Sequence, residues 1–274
     1  AMLNDPESYN FEGESKDLSV LFSDIRGFTE ISEALDASQL KTLLNNIFTP
    51  ITGIIFDHKG TIDKYVGDMV MAFWGAPLDD PEHHSNAVRS ALKMLDQIEK
   101  LKPEFVARGL PEVSIGVGIN SGYMNVGDMG STYRRAYTVL GDAVNLSSRL
   151  ESLTKFYQVK LLIGEATYDQ IEGFLCRQVD KVQVKGKETS VRIYQPLCQE
   201  NEASEVLLRL VAEYHQAYQK YLNQDWEGAI EMFTELNIKD PETSLYSLYL
   251  DRIAVLRQQV LEEGWDGTFR HSEK

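Results

Sequence analysis

The sequence predicts an α/β (α+β) fold: a sandwich of strands and helices over residues 17–197, then a helical extension over residues 198–274. Three observations lead there. Short apolar runs that read as strands alternate with amphipathic helices from Leu18 to Tyr194, the pattern of a layered core. Two such runs, Thr61 to Val66 and Met69 to Trp74, flank Gly67-Asp68, and a two-residue turn opening on glycine suits a tight hairpin. Past Pro196 the chain becomes almost wholly helix-forming, from Ala203 to Glu263.

The elements follow in order. Ala1 to Lys16 is polar, holds Pro6 and Gly13, and reads as a linker. Residues 18–23 form a short apolar strand ended by Asp24. Leu40, Leu43, Leu44, Ile47, Ile51 and Ile55 keep helical spacing, with Asp36 or Ser38 as the cap and Lys59-Gly60 as the stop. After the hairpin, Ala87, Ala91, Leu95 and Ile98 mark a helix over Pro81–Lys100. Val113 to Asn120 and Tyr123 to Gly127 read as a strand pair around Ser121-Gly122, and Asp128 to Arg135 as a mobile loop. A helix over Asp142–Leu153, a strand over Val159–Ile163, and strands over Phe174–Val184 and Ser190–Tyr194 complete the first domain.

Ala217, Ala229, Phe233 and Pro241 sit at spacings resembling one tetratricopeptide motif, although a plain helical hairpin acting as a brace is the preferred reading. One helix pair cannot cover Leu207, Leu210, Ala217, Ile230 and Phe233 together, so a second surface is expected to dock there. Trp265-Asp266-Gly267 to Lys274 reads as a short tail.

Composition narrows the function. A net charge of −15 argues against a general nucleic-acid binder, which needs a basic face. Cys176 and Cys198 have no metal-ligand spacing, and so few cysteines fit a reducing compartment. No apolar run reaches membrane-spanning length, and no signal peptide stands at the start. The expectation is a cytoplasmic domain without direct membrane insertion, the output half of a larger signalling protein or membrane receptor whose sensor lies outside this chain.

The chemistry-bearing stretches are Leu18-Ser-Val-Leu-Phe-Ser-Asp24-Ile-Arg-Gly27-Phe-Thr29 and Asp63-Lys64-Tyr-Val-Gly67-Asp68. Each delivers an aspartate beside a strand end. Two such carboxylates can grip a pair of hard divalent cations, as phosphate chemistry requires. A third stretch is Tyr137-Thr138-Val-Leu-Gly141-Asp142-Ala-Val-Asn145-Leu-Ser-Ser-Arg149-Leu-Glu151, and a fourth is Val184-Lys185-Gly186-Lys187. Asn145 and Arg149, spaced i, i+4, share one helix face, while Leu146, Leu150 and Leu153 take the other.

In this order, over residues 18–196, the four stretches resemble the catalytic domain of class III adenylyl cyclases. The resemblance implies a ferredoxin-like cyclase core and cyclisation of ATP to 3′,5′-cyclic AMP. It implies two Mg2+ (or Mn2+) ions per active site, held by Asp24, Asp68 and the Ile25 carbonyl. Backbone N–H groups near Gly27, Phe28 and Thr29 open a helix and would cradle phosphate. The resemblance further makes Arg149 the transition-state residue, Asn145 the ribose-orienting residue and Lys185 the ligand of the terminal phosphates. Lys64 and Thr138 would read adenine, and threonine in the second position matches a largely bacterial subgroup. Because the metal and base-reading sets belong to opposite subunits in the family, the expected assembly is a symmetric homodimer with two sites.

The alternatives are a mixed adenylyl/guanylyl cyclase, which Lys64 disfavours, and a degenerate cyclase-homology module serving dimerisation or relay. A cyclic-dinucleotide synthase lacks its glycine-rich acidic signature here. His83-His84 reads as surface, Gly116-Val-Gly118 as strand packing, and Arg134 and Arg135 as equally suited to phosphate contact or to solvent.

Overall fold

The structure is a computed structural model and describes residues 13–131, 133–183 and 189–271. The chain forms two compact units, one of residues 1–154 and 160–172, the other of residues 155–159 and 173–274.

In the first unit, strand β1 (Glu14–Ile25) is the central strand. It pairs antiparallel with β3 (Met69–Trp74) on one side and with β4 (Ile115–Gly130) on the other. Strand β2 (Thr61–Val66) forms the hairpin with β3, and β5 (Arg135–Leu140) folds back on the far half of β4. Strand β6 (Leu161–Gly164) runs parallel to the near half of β4. Leu18, Val20 and Phe22 share one face of β1, as alternation requires, and join Met71, Phe73, Met124, Val126 and Val139 in a buried cluster. The expected linker of residues 1–16 ends inside a strand, because Glu14 to Lys16 already pair with Val126 to Met124.

Helix α1 (Phe28–Ala34) follows β1 directly. Helix α2 (Ala37–Asp57) is started by Asp36, whose side chain accepts from the Ser38 and Gln39 N–H groups while Gln39 returns a bond to the Asp36 N–H. Lys59, with φ of 64°, and Gly60 follow its end. Helix α3 (His83–Ala107) is longer than its apolar spacing suggests and carries Pro103 within it. Helix α4 (Asp142–Phe156) lies so close to β4 that a Cβ on Gly118 would come within 2.2 Å of the Glu151 backbone nitrogen. The Ser147 hydroxyl donates at 2.9 Å to the Val20 carbonyl and lies 3.0 Å from the Gly118 carbonyl, fixing the helix over the sheet.

Two expected connections in this unit take another form. Ser121-Gly122 does not turn: β4 runs straight through it, because Leu18 and Ser19 hold both residues in register. The expected loop over residues 128–135 is shorter than that, because Asp128 to Gly130 pair with Tyr137 to Arg135, and the Ser131 N–H donates to the Arg134 carbonyl at 2.9 Å.

Helix α5 (Glu165–Tyr168) ends the first unit's elements, and the second unit contains β7 (Phe174–Gln183) paired with β8 (Val191–Gln199). Its helices are α6 (Glu205–Leu222), α7 (Trp226–Lys239) and α8 (Leu245–Leu256). The third helix supplies what a lone helix pair could not. Phe233 of α7 stacks on Tyr249 of α8 with centroids 5.1 Å apart, and Tyr214 and Tyr218 of α6 join them. The segment after α8 packs back on this unit as far as it is described. Trp265 packs on Tyr221 and Trp226, and β9 (Phe269–Arg270) adds a parallel strand to β7.

A buried ion pair ties these helices to β7. Asp180 has no exposed side-chain surface and accepts from Tyr157 Oη at 2.6 Å and from Arg252 Nη1 at 2.8 Å. The Tyr249 hydroxyl donates to the Val179 carbonyl at 2.6 Å. Removing one partner of such a pair strands the other charge without water. Arg252→Ala is therefore expected to lower the unfolding free energy in urea by about 3–5 kcal/mol. The double change Asp180→Leu with Arg252→Met should cost less than that single change.

Candidate active site

The carboxylates expected to hold metal lie together. Asp24 and Ile25 end β1, and Asp68 sits in the β2–β3 turn after Gly67, whose φ of 63° suits glycine. Ser23 is paired with Val70, so sheet register brings the turn to the end of β1. The Ile25 N–H donates to Asp24 Oδ1 at 3.2 Å and to Asp68 Oδ2 at 3.1 Å, bridging both carboxylates. Burial, then the hydrogen bond and charge of Asp68, push the Asp24 carboxyl up to about 7. Two half-buried carboxylates bridged by one backbone N–H are suited to a divalent cation, and Asp24, Asp68 and the Ile25 carbonyl are the residues that would hold it.

Around this pair stand groups the sequence reading missed. Arg26 donates to Glu151 Oε1 at 3.4 Å and to Thr154 Oγ1, tying the strand end to α4. Burial raises the Glu151 carboxyl, while Arg26 pulls it back down. The signal was an arginine between Asp24 and Gly27, but its partner lies far along the chain.

Gly27 takes a left-handed conformation, φ 65°, and caps α1, so Phe28 and Thr29 begin a seven-residue helix with no side-chain cap. Asn145 is exposed on the first half of α4. Arg149, one turn on, keeps a buried Nη1 with no hydrogen-bond partner among the described residues. Leu146 and Leu150 are buried as expected, and Leu153 partly so.

Lys64 and Thr138 also converge, through a residue not foreseen. Thr138 of β5 donates its hydroxyl to Asp63 Oδ2, and Lys64 Nζ lies 3.2 Å from Asp63 Oδ1. Lys185, and the Val184 to Lys187 stretch with it, lie outside the described residues. Arg134 and Arg135 are exposed at the β4–β5 hairpin.

His83-His84 corrects another expectation. Both rings are buried, not on the surface. His83 Nδ1 and the Ser19 hydroxyl share a 2.9 Å hydrogen bond, continued by Ser19 to Ser121 at 2.7 Å and Ser121 to Thr167 at 2.8 Å. Burial lowers His83 to about 4, so the ring is neutral. Together with Asp17 the two histidines form the one His/Cys/Asp/Glu group of three or more, with ligand atoms within 4.8 Å of one another, among the described residues. The carboxylate comes from β1, which is why a search for a partner spaced along the helix did not find it.

Residues 12–200 match the family model of the adenylate and guanylate cyclase catalytic domain, and the chain belongs to that family. It is 37% identical over 186 residues to an adenylate cyclase of Anabaena cylindrica, covering 65% of this chain and 36% of that one. It is 34% identical over 193 residues to adenylate cyclase 1 of Rhizobium meliloti, covering 69% and 29% respectively. Among solved structures it resembles the adenylyl cyclase CyaB of P. aeruginosa, with 39% identity, a TM-score of 0.65, and coverage of 70% of this chain and 100% of that one. It also resembles the guanylyl cyclase Cya2, with 29% identity, a TM-score of 0.64, and coverage of 70% and 98%. The α+β core is thus that of the class III cyclases, which use divalent metal ions. The chain spans about a third of the length of these two curated relatives.

The raised Asp24 carboxyl has a consequence for metal-free protein. Its value is about 7 in the fold against an ordinary value of 3.8, so the unfolded chain loses that proton first as pH rises. Stability should fall as pH climbs from about 4 to about 7 and then level off. Asp24→Asn removes this loss, so its melting temperature in EDTA should exceed the parent's above pH 7, with the gap closing toward pH 4. Thermal scans across that range check it. Mg2+ should narrow the gap above pH 7 by stabilising the parent alone.

Proposed function

We propose that the chain is an adenylyl cyclase domain that converts ATP to 3′,5′-cyclic AMP and pyrophosphate, working as a homodimer with shared sites. The observation that carries this reading is the Asp24–Asp68 pair bridged by the Ile25 N–H, on a chain that also bears Asn145, Arg149, Lys64 and Thr138. The ribose 3′-oxygen forms a bond to the α-phosphorus, and the bond to the β-phosphate bridging oxygen breaks with its electron pair. Divalent cations at Asp24 and Asp68, two per site, supply activation of the 3′-hydroxyl and neutralisation of phosphate charge. No side chain is assigned as general base, and the proton passes to water or to a substrate phosphate.

The chain's own residues bind and orient. Backbone N–H groups at Gly27, Phe28 and Thr29 face phosphate, and Lys185 takes the terminal phosphates. Asn145 orients the ribose. Arg149, whose Nη1 has no partner among the described residues, meets the charge that develops at phosphorus. Lys64 donates to adenine N1 and Thr138 accepts from the 6-amino group. Similar fits to an adenylyl and a guanylyl cyclase structure leave the base to these two residues, and their chemistry favours adenine.

Class III geometry places the aspartates and the Lys64, Thr138, Asn145 and Arg149 set on opposite subunits, so one chain holds two half-sites. No described helix is long and apolar enough to cross a membrane. With the chain covering only part of its relatives, we read it as the cytoplasmic output domain of a longer signalling protein whose sensor lies elsewhere.

Purified protein should cyclise ATP in preference to GTP, with turnover requiring Mg2+ or Mn2+. Asp24→Ala and Asp68→Ala should each cost about 100-fold or more while the far-UV spectrum is kept. Near-parental rates in either variant would remove the metal assignment. Mixing Asp24→Ala with Arg149→Ala should restore activity above either alone, because each heterodimer rebuilds one site. Background rates after demonstrated subunit exchange would refute the shared-site dimer.

A further inference from the structure

Asp63 stands where β2 breaks register. Ile62 pairs with Ala72 and Lys64 with Met71, so Asp63 is the extra residue of a bulge. Its side chain is 1% exposed. One carboxylate oxygen faces the Lys64 ammonium at 3.2 Å, and the other accepts the Thr138 hydroxyl.

A threonine hydroxyl has one hydrogen and two lone pairs. Here the hydrogen is committed to Asp63, so Thr138 presents only lone pairs to anything else that approaches it. We propose that Asp63 is a positioning residue that sets nucleobase specificity by holding Thr138 as an obligate acceptor. The proposal rests on the reading above, in which Lys64 and Thr138 meet the base edge. Adenine offers a 6-amino donor and an N1 acceptor, which suits a Thr138 acceptor beside a Lys64 donor. Guanine offers an O6 acceptor, which would face the Thr138 lone pairs with the Asp63 charge behind them. A free hydroxyl would rotate and serve both bases. The bulge therefore turns an ambiguous threonine into a discriminating one.

The alternative is that Asp63 only braces β2 against β5, in which case its loss would weaken both nucleotides alike. Asp63→Asn separates the two. The asparagine keeps the shape, but its single carbonyl oxygen goes to Lys64, which can only donate. That leaves the amide N–H pointing at Thr138, whose own hydrogen is then free to meet guanine O6.

The test compares kcat/KM for ATP and for GTP in the parent, Asp63→Asn, Thr138→Val and the double variant, alongside binding of the non-cyclising 3′-deoxy-ATP and 3′-deoxy-GTP. The ATP-over-GTP ratio should fall about tenfold in Asp63→Asn, the worth of one matched hydrogen bond. In the Thr138→Val background the same change should leave the ratio where Thr138→Val put it. An unchanged ratio in Asp63→Asn overturns the proposal, as does an equal fall in the Thr138→Val background. A parent that cyclises ATP beside an unchanged ratio defeats this proposal alone. A parent that forms no cyclic nucleotide, yet binds 3′-deoxy-ATP over 3′-deoxy-GTP with the preference lost in Asp63→Asn, defeats the cyclase assignment alone. A parent that binds neither analogue defeats both.

Discussion

The pairing of β1 with β3 and β4 is the constraint on which the candidate site depends. β1 is gripped on both edges, with Ser23 opposite Val70 on one side and Asp24 opposite Gly116 on the other. A one-residue slip would turn Leu18, Val20 and Phe22 out of their cluster, so the buried face fixes the register. That same register decides which backbone amide stands between Asp24 and Asp68. The core supplies the free energy that holds two carboxylates together against their repulsion. The raised Asp24 carboxyl records its burial first, and then the hydrogen bond and charge of Asp68.

Helix α4 is the second dependent part. It can carry Asn145 and Arg149 close over the sheet only because Gly118 has no side chain where the Glu151 backbone passes. Ser147 then anchors its middle to the Val20 and Gly118 carbonyls, and Arg26 reaches Glu151 and Thr154 near its end. Asn145 and Arg149, on one side of α4, are thereby set by packing on the other. The second unit shows a different economy. Its helices close on an aromatic core of Tyr214, Tyr218, Tyr249 and Phe233, beside which Asp180 and Arg252 pair away from water.

Much of this was legible in the chain, and the exceptions have physical reasons. The Gly67-Asp68 hairpin, the Asp36 cap and the Asn145/Arg149 face are local, and local chemistry survives in the sequence. Ser121-Gly122 looks like a turn, yet pairing with Leu18 and Ser19 overrides that preference. His83-His84 looks solvated because its partners, Asp17 and Ser19, come from another element. The third helix and the closing strand were hidden for the same reason, since what covers Phe233 and β7 is settled by tertiary contact.

Asp63 is the sharpest case. An aspartate before a lysine in a strand reads as two solvated charges, and strict alternation would put them on opposite faces. The bulge removes that alternation and lets one carboxylate serve both Lys64 and Thr138. If the base is read here, the discriminating element is not the threonine itself but the destination of its proton. A hydroxyl is neutral between adenine and guanine until a buried acceptor fixes which way it points. Specificity in such a site is then carried by a residue that never touches the nucleotide, and a comparison restricted to contacting positions would miss it.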